Sequence, residues 1–254
     1  MPRPDQQRSI DEARQSFDAV LHTPEFRKVH EDDAHLNLLI GYLAITPEGR
    51  YLDLGTGNGY VAFSIAARHP DCRVTGIDVA DKAIRRNVEL AREKGLNNIE
   101  FTAMDGVGLG VPADAFNGVI CRYTLHHLPA LRGTLGEVHV ALKDAGRFVV
   151  ADALRDDADA CDFINRFMAL KPDGHVRIHT RNELLALLGE CGFQPLDLAM
   201  TSIAFTRPLN PDYRALLDAT APPILRAYGI TMQGNEVSAR LDILNATFAK
   251  ARNE

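Results

Sequence analysis

The chain has 254 residues, 46% of them hydrophobic and 24% charged, which are ordinary globular proportions and enough length for one α/β domain with a large core. Its formal net charge of -6 argues against a generic nucleic-acid binder, because phosphate contacts need a clustered excess of Lys and Arg. The opening MPRPDQQRSIDEARQ is too polar for a signal peptide, and no apolar run approaches the roughly 18 residues that suggest a membrane span. A cytoplasmic protein with no nucleic-acid or membrane partner is expected. No repeat or low-complexity segment divides the chain, so a single domain over 1–254 is expected, with a helical cap (1–48), a core (49–204) and a C-terminal helical insertion with a last strand (205–254). Cys72, Cys121, Cys161 and Cys191 form no CxxC pair and no zinc-finger grouping. They are expected to be buried free thiols, without disulfides or structural metal.

In chain order, Ser9 and Glu12 have capping-box spacing, and Ile10, Ala13, Phe17, Val20 and Leu21 recur on one helical face behind them. A second helix is expected over about 31–45, with Leu36, Leu39, Ile40 and Leu43 as its stripe. These N-terminal helices form a lid or pack beside the sheet. From residue 50 short apolar strands alternate with helices, the pattern of a mainly parallel sheet covered on both faces. Strands are placed at 50–54, 73–78, 98–102, 117–122, 146–151 and 195–204, and helices at 59–68, 81–94, 129–142 and 181–191. Thr180 and Glu183 form a capping box for the last of these, and Gly95 and Gly192 act as helix stops. Residues 210–228 look helical apart from Pro222 and Pro223, and 241–250 supply a last strand.

The run YLDLGTGNGY at 51–60 sends an apolar strand straight into Gly55, Gly57 and Gly59. Glycine permits the tight turn and lets a ligand lie on the backbone at a helix N-terminus. The second strand ends in Gly76-Ile77-Asp78, 25 residues beyond Asp53, where a carboxylate would meet ribose hydroxyls in a doubly wound nucleotide site. A dinucleotide fingerprint wants glycine where Tyr60 stands, and Asp53 inside the strand is a further departure from it.

LDLGTGNGYVAFSIA, GIDVADKAI, AMDGVGLG and NGVICRYTLHHLP, in that order and spacing, resemble four successive motifs of the class I S-adenosylmethionine-dependent methyltransferases. The closest flavour is the group similar to ubiquinone and menaquinone biosynthesis methyltransferases, and the likeness covers about 35–200. The resemblance implies a doubly wound, Rossmann-like, mainly parallel seven-stranded sheet with helices on both faces and N-terminal lid helices. It also implies S-adenosylmethionine as cofactor and a small-molecule methyl acceptor. On matching positions it implies that Gly55, Thr56, Gly57 and Gly59 line the methionyl part, with Asp53 organising the loop and its amino group. Asp78 would take the ribose hydroxyls, and Val79, Met104, Asp105 and Gly106 would surround the adenine. Cys121 and Arg122 would border the transferring methyl.

A sulfonium already makes its methyl electrophilic, so the protein's tasks are to align the nucleophile and exclude water. A general base is needed only if the acceptor carries a proton that must leave. His126 and His127, after the fourth strand, are the candidates, although a capping or packing role is the more ordinary one. His175 and His179 stand four apart, but Gly174, Val176 and Ile178 make their segment an extended loop rather than a metal-binding helix. With Arg177 they are candidates for acceptor contacts. Residues 153–180 and 205–235 are long for plain connections and, together with the N-terminal helices, are expected to enclose the acceptor, while Phe163, Phe167 and Met168 have the spacing of a buried helical stripe. An NAD-dependent oxidoreductase and a catalytically silent scaffold of the same fold are the competing readings.

Overall fold

The computed structural model describes residues 2–104, 106 and 108–251. Three helices, α1 (Pro4–Val20), α2 (Pro24–His30) and α3 (Asp33–Leu43), precede an alternating series. That series runs β1 (Arg50–Leu54), α4 (Tyr60–Arg68), β2 (Arg73–Asp78), α5 (Asp81–Glu93), β3 (Ile99–Ala103), β4 (Phe116–Arg122), α6 (Leu131–Ala141) and β5 (Leu142–Ala153). The chain continues through α7 (Phe163–Ala169), α8 (Arg181–Glu190), β6 (Phe193–Pro208), α9 (Pro211–Asp218), α10 (Pro222–Ala227), β7 (Thr231–Gln233) and β8 (Glu236–Lys250).

The strand order is β3-β2-β1-β4-β5-β8-β6, with β7 paired to β8 beside this path. Strands β1 to β5 pair in parallel, and β8 runs antiparallel between β5 and β6. Alternate side chains on each central strand point to opposite faces, and both faces are buried. Val149 and Ala151 of β5 join Leu39, Ile65, Phe163 and Phe167 on one side. Phe148 and Val150 join Leu135, Leu188 and Phe193 on the other. The sheet is therefore doubly wound, with one strand more than expected: Gly234, at φ 60°, turns β7 back onto β8.

The N-terminus departs most from the sequence reading. Helix α1 starts at Pro4, not behind Ser9: the Arg3 backbone N–H donates to Gln6 Oε1 at 2.9 Å, and proline fits the first helical turn. Ser9 instead donates back to the Asp5 carbonyl at 3.3 Å, inside the helix. The helix expected over about 31–45 is α3, and a further short helix, α2, precedes it where none was expected. Thr23 caps the seven-residue α2, and Asp32, in an extended conformation, caps α3 by accepting from Ala34 and His35. Pro222 and Pro223 likewise begin α10 rather than break a helix. Thr180 and Glu183 form their capping box as expected. Two of the thiols are not buried: Cys161 is exposed and Cys191 half-buried. Among the described residues no helix is long and apolar enough to cross a membrane.

Helix α1 is fastened over the sheet by polar contacts at the β2–α5 turn. Helix α5 has no side-chain cap of its own; Asp18 of α1 provides one, accepting from the backbone N–H groups of Lys82 at 2.7 Å and Ala83 at 3.3 Å. Arg14 donates to the Val79 carbonyl at 3.1 Å. Because a lost helix cap costs about 1 kcal/mol, Asp18→Ala is expected to lower the urea-unfolding stability by about that amount, while Asp18→Asn retains most of it. An unchanged midpoint for Asp18→Ala would mean that α1 does not cap α5.

Candidate functional site

In an open α/β sheet the crevice forms where strand order reverses, here between β1 and β4, at their carboxyl ends. The principal cavity lies there. Its floor comes from Asp53 to Gly57, Asn58, Asp78, Val79, Met104 and Gly106, and one wall from Arg122, Tyr123, Thr124, His127, Leu128 and Pro129. Its roof is Ile10, Ala13, Phe17 and Leu21 with Phe26, His30 and Glu31.

The β1–α4 turn requires left-handed backbone at Gly55, Gly57 and Gly59, with φ of 72°, 54° and 78°, a region closed to most side chains. At Gly55 a Cβ would also fall 2.2 Å from Thr124 Oγ1, so this glycine is fixed by packing as well as by conformation. Buried carboxylates hold the turn in place. Asp53 Oδ2 accepts from the Thr56 hydroxyl at 2.7 Å and from the Ala62 N–H at 3.2 Å. Asp78 accepts from the N–H of Gly57 at 2.8 Å and of Ala80 at 2.9 Å. Asn87 of α5 completes the frame by donating to the Gly57 carbonyl at 2.8 Å. Burial raises both carboxyls above their ordinary values, Asp53 to about 6, against the lowering effect of these hydrogen bonds.

The first free N–H groups of α4 are largely taken, Tyr60 by Asn58 Oδ1 and Ala62 by Asp53. The turn is a cradle with carboxylates beneath it, not an open anion site.

Of the residues singled out from sequence, Asp53, Gly55, Thr56, Gly57, Asp78, Val79, Met104, Gly106, Arg122 and His127 line this cavity. Gly59 shapes the turn as the left-handed N-cap of α4. Asp105 lies outside the described residues. Cys121 does not border the cavity: alternation along β4 turns its fully buried thiol into the opposite core, beside Leu52 and Val150. His126 is also outside the lining. Its Nδ1 meets Asp152 Oδ1 at 2.5 Å, and Asp152 in turn accepts from Leu125 N–H at 2.7 Å. Although burial works against its charge, the Asp152 carboxylate raises the His126 pKa. His126 thus pins the turn after β4. His127 meets Phe17 of the roof edge-on, with ring centroids 5.0 Å apart, and burial with the neighbouring His126 drops its pKa to about 3.

The long segments do not enclose this cavity. Residues 153–180 are tied down by bonds within the segment and to its neighbours: Asn165 bonds both backbone groups of Ile178 and the ring of His175, and Asp159 caps α7 while accepting from Tyr228. Phe163, Phe167 and Met168 are buried, as their spacing suggests. Arg177 pairs with Glu183 at 3.0 Å; His175 and His179, in a segment without helix, are not in the cavity lining, although the His175 ring packs edge-on behind His127 with centroids 6.3 Å apart. The roof comes from the N-terminal helices α1 and α2, of which sequence reasoning had the first as a lid candidate but missed Phe26, His30 and Glu31. Thr23-Pro24 was a readable helix start, but seven residues give too little periodicity to place a face.

Comparison with known proteins follows the same lines. Residues 45–187 match a family model described as a methyltransferase domain. An uncharacterised methyltransferase of Bacillus subtilis, YcgJ, is 30% identical over 161 residues, 63% of this chain and 63% of its own. Its crystal structure superposes with a TM-score of 0.78 at 23% identity, covering 87% of this chain and all of that one. The 27-O-demethylrifamycin SV methyltransferase of Amycolatopsis mediterranei is 27% identical over 67% of this chain and 62% of its own. A geranyl diphosphate C-methyltransferase of Streptomyces coelicolor, solved with Mg2+, geranyl diphosphate and S-adenosyl-L-homocysteine, gives a TM-score of 0.69 at 15% identity over 98% of this chain and 99% of that one. The matches span 63% and 62% of the lengths of the two sequence relatives. With a family match over more than half its length, on a class I fold, this chain belongs to the methyltransferase domain family.

Proposed function

We propose that this chain transfers a methyl group from S-adenosylmethionine to a small-molecule acceptor, acting as one unit in which residues 1–48 cap a core of 49–204 and 205–254 complete the sheet. The observation that carries the reading is Asp53, a fully buried carboxylate in the cavity floor with a pKa pushed up to about 6 by desolvation. An ammonium group laid on the turn would relieve that cost, and the methionyl part of the cofactor has one. A dinucleotide pyrophosphate would meet two carboxylates and few free N–H groups, which makes the oxidoreductase reading the weaker one.

The remaining lining fits the same ligand. Gly55, Thr56 and Gly57 offer backbone beside the methionyl chain. Asp78, whose two oxygens accept from the Gly57 and Ala80 N–H groups, keeps lone pairs for ribose hydroxyls. Val79, Met104 and Gly106 give an apolar slot for the adenine. When bound, the cofactor supplies a methyl activated by its sulfonium. The chain's own part is to hold the acceptor in line and keep water out, for which α1 and α2 close the cavity.

Isothermal titration with S-adenosylmethionine is expected to give a single site. Asp78→Ala should weaken it roughly tenfold or more, since hydrogen bonds to charged groups are worth about 1.5–3 kcal/mol. No heat with the wild type, or equal affinity in the variant, overturns the site.

Asp53 makes a second prediction, about stability. A carboxyl raised in the folded state binds its proton more tightly there than in the unfolded chain, so its contribution is present at pH below 3.8 and lost as pH rises through about 6. Relative to Asp53→Asn, the wild type is therefore expected to lose about 3 kcal/mol across that window. Chemical denaturation at several pH values checks it, and parallel curves for the two proteins would refute it.

A further inference from the structure

The roof of the cavity carries an imidazole that cofactor binding does not use. His30, in the last turn of α2, lines the same cavity as the glycine turn. Its Nδ1 lies 2.9 Å from the Phe26 carbonyl oxygen. A carbonyl can only accept, so Nδ1 carries the hydrogen and the neutral ring keeps a lone pair on Nε2. The ring is held in orientation by stacking on Phe26, centroids 4.0 Å apart and 12° from parallel, and by the edge of Tyr123 at 6.3 Å.

A cation stands beside it. Arg122 lies over Tyr123 at 4.3 Å and Tyr60 at 5.6 Å, and its Nη2 donates to the His30 carbonyl. Its buried Nε has no partner among the described residues, and desolvation lowers its pKa. A buried guanidinium with an unused donor is costly unless a negative charge comes to it. Phe17, Phe26, Tyr60 and Tyr123 add flat aromatic walls.

From this juxtaposition we infer that His30 is the general base of an O-methyl transfer and that Arg122 faces the oxygen it deprotonates. The acceptor is then a planar, apolar molecule bearing an acidic O–H, a phenol or an enol. The inference rests on the methyl-donor reading above. In the step, the acceptor O–H bond breaks and its proton passes to His30 Nε2. The oxygen lone pair forms the new C–O bond to the methyl carbon, while the C–S bond breaks and its electron pair stays on sulfur. The positive charge of the sulfonium ends on the His30 imidazolium, which releases its proton to solvent.

The two histidines expected from sequence fit this role less well. His126 is tied to Asp152 outside the cavity, and His127, with a pKa near 3, is too weak a base. Around His30 stand Glu31, Tyr60, Arg122, Tyr123 and His127 in the cavity lining, with Lys171 and His126 beyond it. Burial first, then the charges of Arg122, Lys171 and His126, lower its pKa against the Phe26 carbonyl, so the basic form prevails at neutral pH.

The test uses the full chain with S-adenosylmethionine and three probes, a naphthol, a catechol and a hydroxynaphthoquinone, with products read by mass spectrometry and NMR. At least one probe should gain a methyl on oxygen. His30→Gln should leave cofactor and probe affinities by calorimetry unchanged, lower kcat by roughly 100-fold or more, and remove the rise of kcat/KM with pH. Long-range 1H–15N spectra of the wild type should read His30 as the Nδ1–H tautomer and shift on probe binding. Undiminished kcat in His30→Gln, methylation on carbon or nitrogen alone, the opposite tautomer, or no product from any probe in a protein that binds S-adenosylmethionine overturns this inference and leaves the methyl-donor reading standing. Absence of cofactor binding overturns both.

Discussion

Everything in the cavity depends on a backbone turn that three left-handed glycines make possible and two buried carboxylates hold. Without Asp53, the Thr56 hydroxyl and the Ala62 N–H at the start of α4 lose their acceptor; without Asp78, the Gly57 N–H does. A buried, unmatched polar group costs about 1–3 kcal/mol, so these acids are structural parts whatever ligand contacts the proposed function gives them. The arrangement is strained in a useful direction. Desolvation outweighs the hydrogen bonds of Thr56 and Ala62 and the charge of Arg122 on Asp53, and the proposed ammonium of the methyl donor would offset it.

The roof is built on the same contacts from the other side. Glu31 accepts from Asn58 of the turn at 3.0 Å, and the Tyr60 hydroxyl donates to Asp33 at 2.8 Å. Gly174 lies so close to α1 that a Cβ there would fall 2.3 Å from the Ser9 carbonyl. Helices α1 and α2 bury few large side chains against the sheet and are fastened mainly by such polar ties. Elements held this way open at lower cost than core strands, which suits the admission and release of donor and acceptor that the proposed function requires.

Much of this was legible in the sequence where the pattern is strict. The strands at 50–54 and 73–78 coincide with β1 and β2, because fully buried parallel strands are short apolar runs bounded by turn residues. The glycine turn, Asp53 and Asp78 could be placed from spacing alone. What failed lacked periodicity. Cys121 sits one residue from Arg122, and on a strand one residue decides which face a side chain serves; the motif named both. The His pair after β4 was a candidate base for which packing or capping was the more ordinary role; His126 does hold the turn, but its partner Asp152 comes from another strand, and sequence does not reveal that proximity. Residues 153–180 looked like a lid on length alone, whereas Asn165 holds the segment's own Ile178 backbone and Asp159 caps α7 and accepts from Tyr228.

The base proposed for the reaction lies in α2, the helix that sequence reading passed over, and this follows from how methyl transfer divides its labour. The donor needs a fixed frame, which the sheet edge supplies through residues whose types and spacing are constrained by backbone geometry. The acceptor needs only a surface of the right shape and one or two groups that manage its proton, and these can hang on any short element that reaches the cavity. His30 needs a helical turn to bring the Phe26 carbonyl under its Nδ1 and a roof position to face Arg122. Neither requirement leaves a mark longer than five residues, so donor chemistry can be read from the chain, while acceptor chemistry emerges only when the elements are assembled.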